Sequence, residues 1–327
     1  MLKKFGREIG ITVLLIILVI VAESLNHRFL SVVNLSNLAR LVGMYGIFGI
    51  GAALVIITGG IDLSSGSMFA ILGVLLSIAL MEKHWPWPWA VIAVLGVAAF
   101  LGTIHGFLIT RMRLQPFIVT LCGLMIYRGL AQFIAKDETK GFGDATGFEK
   151  LKDLVTGEFH GVPVQFIMLL VIAAVFGVVL HYSVYGRYLY AVGRNEEASR
   201  YSGIETRRVI SSAYIIAAVL SGISAILFAF YTNSISPSTH GQGYELYGIA
   251  AAVLGGCSLR GGEGSIVGVI LGATLLQVLQ NLVNLLGIPS SLNFAVVGAV
   301  ILIGILADQL FSRRGKRPRK VAASASA

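Results

Sequence analysis

Apolar residues in this chain come in long runs separated by short polar or glycine-rich stretches. The spacing of those breaks predicts about ten membrane-crossing helices. Residues 9–22 form the first run, behind Lys3, Lys4 and Arg7. No small-x-small cleavage site follows, Ala22-Glu23-Ser24 being a poor one, so a retained helix is predicted rather than a removed leader. The polar stretch 26–40, which carries Phe29, Leu30 and Val33, is expected to lie along the membrane interface. Further spans are predicted over 41–58, 64–81, 90–110, 116–135, 164–181 and 209–231, then a short one around 250–255, and last 265–286 and 291–310. Trp85, Trp87 and Trp89 stand together between the third and fourth runs, as in an interfacial aromatic belt, and mark one membrane surface. The polar stretches 136–163 and 182–208 contain no run long enough to cross.

Composition removes the soluble alternative. With 56% hydrophobic and 13% charged residues and a mean hydropathy of +0.84, against about 25% charged in ordinary globular chains, a soluble fold would leave a large apolar surface in water. The fold class is therefore all-α: a polytopic membrane helix bundle forming one domain over 1–312, followed by a basic tail at 313–327. The net charge of +9 suits nucleic acid only until its placement is examined. In a ten-span topology 17 of the 25 basic residues fall on the side of the N-terminus, among them Arg111, Arg113, Arg187, Arg194, Arg207, Arg208 and the run Arg313 to Lys320. By the positive-inside rule both termini are predicted to be cytoplasmic. Charge here reports orientation, and no nucleic-acid partner is expected; the tail adds an attraction to anionic lipid. Cys122 and Cys257 lie in apolar runs at no metal-ligand or redox spacing and read as buried free thiols.

Three polar segments carry candidate chemistry. The first is the break at 59–68, where Gly59 and Gly60 free the backbone and Asp62 and Ser64 can cap a new helix. Such a group is costly at membrane depth, so Asp62 reads either as a cap at the interface or as part of a substrate path. A second break at 255–265 repeats the Gly-Gly-x-x-Leu then Gly-Ser order; an internal repeat and a shared helix-breaking composition account for it equally well. In the third, 190–204, Asn195 caps a helix of about two turns with Glu196 and Glu197 in its first turn, and Gly203 ends it. Too short to be stable alone, that helix needs a surface for Ala198, Tyr201 and Ile204. His105 reads as a helix-packing histidine, with no second ligand at metal spacing. No GxxxxGK[ST] or HExxH motif and no recognisable nucleophile–base pair occurs. Energy must then come from a gradient or from another subunit.

GGIDLSSGS at 59–67, QPFIVTL with the later YRGLA at 115–131, YAVGRNEEASRYSGI at 190–204 and GYELYGIAAAVLGGCSLRGGEGSIVG at 243–268 together resemble the permease subunits of ribose-type bacterial ABC sugar importers. The likeness runs in order from about residue 40 to 308. It implies an inner-membrane subunit that pairs with a second copy or a paralogue. Two ATP-binding subunits would sit at the cytoplasmic face, and a periplasmic sugar-binding protein would dock outside. ATP and Mg would then belong to the partner subunit, this chain binding no cofactor of its own. Carried over by position, Gly193, Asn195, Glu196, Glu197, Ala198, Arg200 and Gly203 correspond to the coupling helix that seats on the ATPase. Tyr247 stands where the family often has an acidic residue, and Cys257 where threonine is usual. For the path of a ribose-like sugar the expected residues are Asp62, Ser64 and Ser65, with Asn233, Ser234, Gln242 and Tyr244 opposite. An ion- or proton-coupled secondary transporter acting without an ATPase is the competing reading. It predicts paired ionisable groups at the bilayer midplane, whereas Asp62, Glu263 and Asp308 are read as lying near the cytoplasmic ends of their spans.

Overall fold

The computed structural model describes residues 2–143 and 147–289, together with positions 292, 295–296, 298–299 and 302, residues 2–7 as backbone alone. In chain order its elements are α1 (Leu2–Leu25), α2 (Val32–Ile57), α3 (Ser65–Ser77) continued by a π-helical turn (Ile78–Glu82), α4 (Trp87–Thr110), α5 (Pro116–Ala135), β1 (Lys140–Gly141), α6 (Glu149–Thr156), β2 (Glu158–Phe159), β3 (Val162–Pro163), α7 (Val164–Tyr182), α8 (Val184–Arg194), α9 (Glu196–Tyr201), α10 (Thr206–Thr232), β4 (Ser234–Ile235), α11 (Tyr244–Leu254) and α12 (Ile266–Leu285). Among the described residues eight helices are long and apolar enough to cross a membrane, and α11 is a shorter apolar one. These correspond to nine of the ten predicted spans. The tenth, at 291–310, falls almost wholly outside the described residues, and Asp308 and the tail at 313–327 lie wholly outside them.

Burial separates a central layer from a lipid-facing one. The apolar windows of α2, α3 and α10 are 89%, 78% and 78% buried, while that of α1 is 6% buried. Helices that are hydrophobic all round and buried all round belong at the centre of such a bundle. With little hydrophobic drive between helices in lipid, close backbone approach supplies the packing. Gly102 and Gly106, one turn apart on α4, are where α10 comes nearest: a Cβ at either would stand 2.8 Å from the Cα of Ile215 or of Ser211. Interhelical polar contacts add to this. Ser224 donates to the Met44 carbonyl at 3.0 Å, and the amides of Asn34 and Asn281 bond reciprocally at 2.9 and 2.7 Å.

Two sequence expectations are corrected. The second span's helix does not wait for residue 41: α2 starts at Val32 and takes in most of the polar stretch 26–40, with the Ser31 hydroxyl accepting from the Asn34 N–H. Its polar residues are satisfied as helix residues, Asn34 by Asn281, while Ser36 and Arg40 donate to Glu158 at 2.8 and 2.7 Å and Arg40 also to the Thr156 carbonyl at 2.7 Å. The other correction is Cys122, which is exposed whereas Cys257 is buried. The buried stripe of α5 runs Val119, Gly123, Tyr127, Ala131, Ala135, an i, i+4 row that leaves Cys122 beside it.

The two ends of the bundle differ. At the end carrying the tryptophans, β1 pairs with β4, Lys140 opposite Ile235, and β2 with β3. Glu82 and Glu138 hydrogen-bond the Lys140 ammonium and hold it above its ordinary pKa. The Ser36 hydroxyl and then the Arg40 guanidinium hold the Glu158 carboxyl below the usual carboxylate range. At the opposite end the polar stretch 182–208 folds as α8 and α9, and the breaks after α2 and α11 lie against each other: the Gly262 N–H donates to the Ile57 carbonyl at 2.8 Å.

Candidate functional site

The break after α2 turns inward. Gly59 has a φ of +84°, and the chain then runs without helix until Ser65. Asp62 is 6% exposed and Ser64 fully buried. One carboxylate oxygen of Asp62 accepts from the Ser64 N–H at 2.8 Å and from its hydroxyl at 2.7 Å. This is an Asx turn rather than a cap for the helix that follows. Irregular backbone at membrane depth must find its hydrogen bonds elsewhere, and the Ile61 carbonyl receives Thr120 of α5 at 3.3 Å and Tyr214 of α10 at 3.4 Å. Behind it, His105 of α4 bonds through Nε2 to the Tyr127 hydroxyl at 2.8 Å, while its buried Nδ1 makes no hydrogen bond among the described residues. Asp62 is thus buried in the break between the end of α2 and the start of α3. It lies in a polar knot with Ser64, His105, Tyr127 and Tyr214.

A second discontinuity reaches the same place from the tryptophan end. Asn233, left-handed at φ +50°, ends α10. After β4 the chain descends along α3: Ile235 lies against Gly73, the Gly241 carbonyl and the Glu245 carboxylate against Gly66. Seven helical residues separate those contacts, a descent of about 10 Å. Arg128 of α5 secures the descending segment, its Nη1 donating to the Pro237 carbonyl at 3.0 Å and the His240 carbonyl at 2.8 Å. Glu245, 9% exposed, rests on the first turn of α3, where the helix dipole favours negative charge. It is attracted by Arg128 and repelled by Asp62. Side by side with this knot, Tyr45, Phe48, Phe69, Phe228, Tyr244 and Tyr247 form an aromatic cluster with centroid separations of 5.0 to 6.4 Å.

Of the expected path residues, the structure brings Asp62, Ser64, Ser65 and Tyr244 into or beside this region. Asn233 and Ser234 are exposed at the tryptophan end, and Gln242 is exposed on the descending segment. Arg128 and Glu245 were not among the residues the sequence singled out. The available signal was an arginine inside an apolar run, which at membrane depth marks a functional position by default. Among the described residues no group of three His, Cys, Asp or Glu side chains is arranged to hold a metal.

At the opposite end, α9 has the local structure the sequence predicted. The Asn195 side chain accepts from the Ala198 N–H at 2.9 Å, Glu196 and Glu197 occupy the first turn, and Gly203 has a φ of +84°. Glu196 also accepts from Thr206 at 3.2 Å, tying the helix to the start of α10. Only Ser199 of the six residues is buried. Tyr201 is 79% exposed, with Arg200 stacked 5.7 Å over its ring. Of the apolar side of α9, Ala198 and Tyr201 are exposed among the described residues, while Ile204, just past its end, packs against the core.

A family described as branched-chain amino acid transport system / permease component matches residues 34–305. The ribose import permease protein RbsC of Bacillus subtilis is 38% identical over 309 residues, 94% of this chain and 93% of its own length. RbsC of Escherichia coli (strain K12) is 36% identical over 94% of this chain and 95% of its own. The fructose import permease protein FruF of Bifidobacterium longum is 32% identical over 85% and 78%. No solved structure matches the chain.

Proposed function

Since the chain belongs to the family of ABC sugar-importer permeases and is a multi-pass inner-membrane protein, we propose that it carries a monosaccharide, ribose or a related sugar, inward. In this reading a periplasmic binding protein delivers the sugar to a dimer of permeases. Two ATP-binding subunits, which hold ATP and Mg, drive the change from inward-open to outward-open through α9. Ten spans, cytoplasmic termini and a single domain over 1–312 with a cytoplasmic basic tail complete the arrangement. Gly193, Asn195, Glu196, Glu197, Ala198, Arg200 and Gly203 form or flank the coupling helix. The path runs past Asp62, Ser64, Ser65 and Tyr244 toward Gln242, Ser234 and Asn233 at its outer mouth.

The observation that carries this reading is the meeting of two helix breaks at the first turn of α3. Interrupted helices facing one another at membrane depth are how transporters build substrate sites. The chemistry there suits a neutral polyol. Two carboxylates against one guanidinium offer more acceptors than donors, which favours hydroxyl donors and repels anions. The neighbouring aromatic faces suit the C–H faces of a sugar ring. In proteoliposomes containing the permease, its ATP-binding subunit and its binding protein, a panel of labelled ribose, fructose and other monosaccharides should show ATP-dependent uptake of at least one. Absence of uptake for the whole panel overturns the assignment. Reversing charge at Glu196 and Glu197 to lysine should abolish co-purification of the ATP-binding subunit, and unimpaired co-purification with normal uptake would remove α9 from the docking face.

One observation favours the competing reading. Asp62, Arg128 and Glu245 are ionisable groups interacting at depth, as a gradient-driven carrier requires. The same assay decides between them, because uptake driven by a proton or sodium gradient without any ATP-binding subunit would establish the secondary transporter.

A further inference from the structure

A docked ATPase has to move residues that line the path, and among the described residues the side-chain hydrogen bonds of α9 reach no further than Asn195 and Thr206. What joins α9 to the path is the last turn of α8. Gly193 sits with its Cα against the Ile57 carbonyl, the end of α2, and against the Gly262 N–H, with no room for a Cβ on either side. That same N–H donates to the same carbonyl at 2.8 Å. Gly261, left-handed at φ +81°, lies so close that a Cβ there would stand 2.6 Å from the Gly193 carbonyl oxygen and 2.9 Å from the Gly59 nitrogen. One turn earlier on α8, the Tyr190 hydroxyl donates to the Gly264 carbonyl at 2.8 Å. Three segments of chain, far apart in sequence, thus meet backbone to backbone. Two of them are the ends of the helix breaks at 58–64 and 255–265.

Side chains between moving elements can change rotamer and absorb a displacement; backbones in direct contact cannot, because packed interiors are stiff. Only Asn195 separates α8 from α9, and its side chain is spent on capping α9. A shift of α9 therefore reaches α8 across a single residue, and Gly193 is the last residue but one of that helix. From Gly193 it passes at once to Ile57, which leads into Asp62 and Ser64, and to Gly261 and Gly262, which lead into Ser265 at the start of α12. We propose that Gly193, Gly261, Gly262 and Tyr190 form a transmission junction that moves both helix breaks together when α9 is displaced. Tyr190 and Gly193 are then positioning residues for transport, distinct from the docking face of α9. This rests on the reading of the chain as an ATP-driven permease.

The test uses the complex reconstituted with its ATP-binding subunit and binding protein, and the labelled sugar that the uptake panel identifies. Tyr190→Phe keeps the ring and removes one hydrogen bond, and Gly193→Ala pushes one Cβ into the junction. Tyr190→Phe should co-purify with the ATP-binding subunit and hydrolyse ATP within about twofold of wild type. Sugar carried per ATP hydrolysed should fall about threefold for Tyr190→Phe, the scale of one lost hydrogen bond, and further for Gly193→Ala. A merely structural role lowers assembly, hydrolysis and uptake together and leaves that ratio at the wild-type value, which would overturn the junction. If Gly193→Ala does not assemble, Tyr190→Phe decides alone. Failure of the underlying reading looks different: the wild-type complex would itself show no ATP-dependent uptake.

Discussion

Replacing Arg128 with methionine tests whether the descending segment is held from α5. The guanidinium donates to two carbonyls, those of Pro237 and His240, at 3.0 and 2.8 Å, and the side chain is half-buried. Hydrogen bonds from a charged donor contribute about 1.5 to 3 kcal/mol each, and the partial exposure puts these at the low end. Losing both costs the attachment of 236–243 about 3 kcal/mol, roughly a hundredfold in its opening equilibrium. Global stability should respond much less. An arginine near the middle of the hydrocarbon costs about 2.5 to 3.5 kcal/mol, which the methionine recovers. Hydrogen exchange in nanodiscs separates the two effects. The reporting amides are His240, Gln242 and Tyr244, bonded to Ser236, Thr239 and Gly241 at 2.8, 3.0 and 3.2 Å. Their exchange should accelerate about a hundredfold, or up to the unprotected rate if that comes first, while amides in the middle of α4 and α10 stay as they were. Exchange within about threefold of wild type at 236–244, in a variant that melts normally, would show that Arg128 does not hold the segment.

Two other contacts make separable predictions. The Glu158 carboxyl is held below the usual carboxylate range by Ser36 and Arg40, so the stability it contributes is full above its unfolded value, about pH 4.5, and is lost as pH falls through the lower folded value. Glu158→Gln should remove that part of the fall in melting temperature on acidification, and superimposable wild-type and variant pH profiles would refute the pairing. For the reciprocal amides of Asn34 and Asn281, a double-mutant cycle to alanine should give a coupling of about 0.5 to 1.5 kcal/mol, the range of interhelical hydrogen bonds in membranes. A coupling indistinguishable from zero in a denaturant titration would mean that the pair contributes nothing beyond packing.

What the sequence disclosed and what it concealed divide along a physical line. The spans at 90–110 and 164–181 and the Asn195 cap are local: an apolar run needs lipid wherever it lies, and a capping side chain bonds an amide three residues on. The start of α2 was misread because its first turns are polar, and only the fold supplies Asn281 and Glu158 to satisfy them. Arg128 was visible as a charge in an apolar run, but its meaning depends on carbonyls 109 and 112 residues away. Asp62 shows the same limit from the other side. Its Asx turn with Ser64 is legible locally, whereas its burial is set by His105, Thr120 and Tyr214, which come from three different helices. Glycines mark the boundary most clearly. Gly59 and Gly60 read correctly as a helix break because breaking a helix is a property of the chain itself. Gly193 looks like any glycine near a helix end, because its need for a missing side chain comes entirely from Ile57 and Gly262, and a one-dimensional pattern carries no record of which backbone will lie against it.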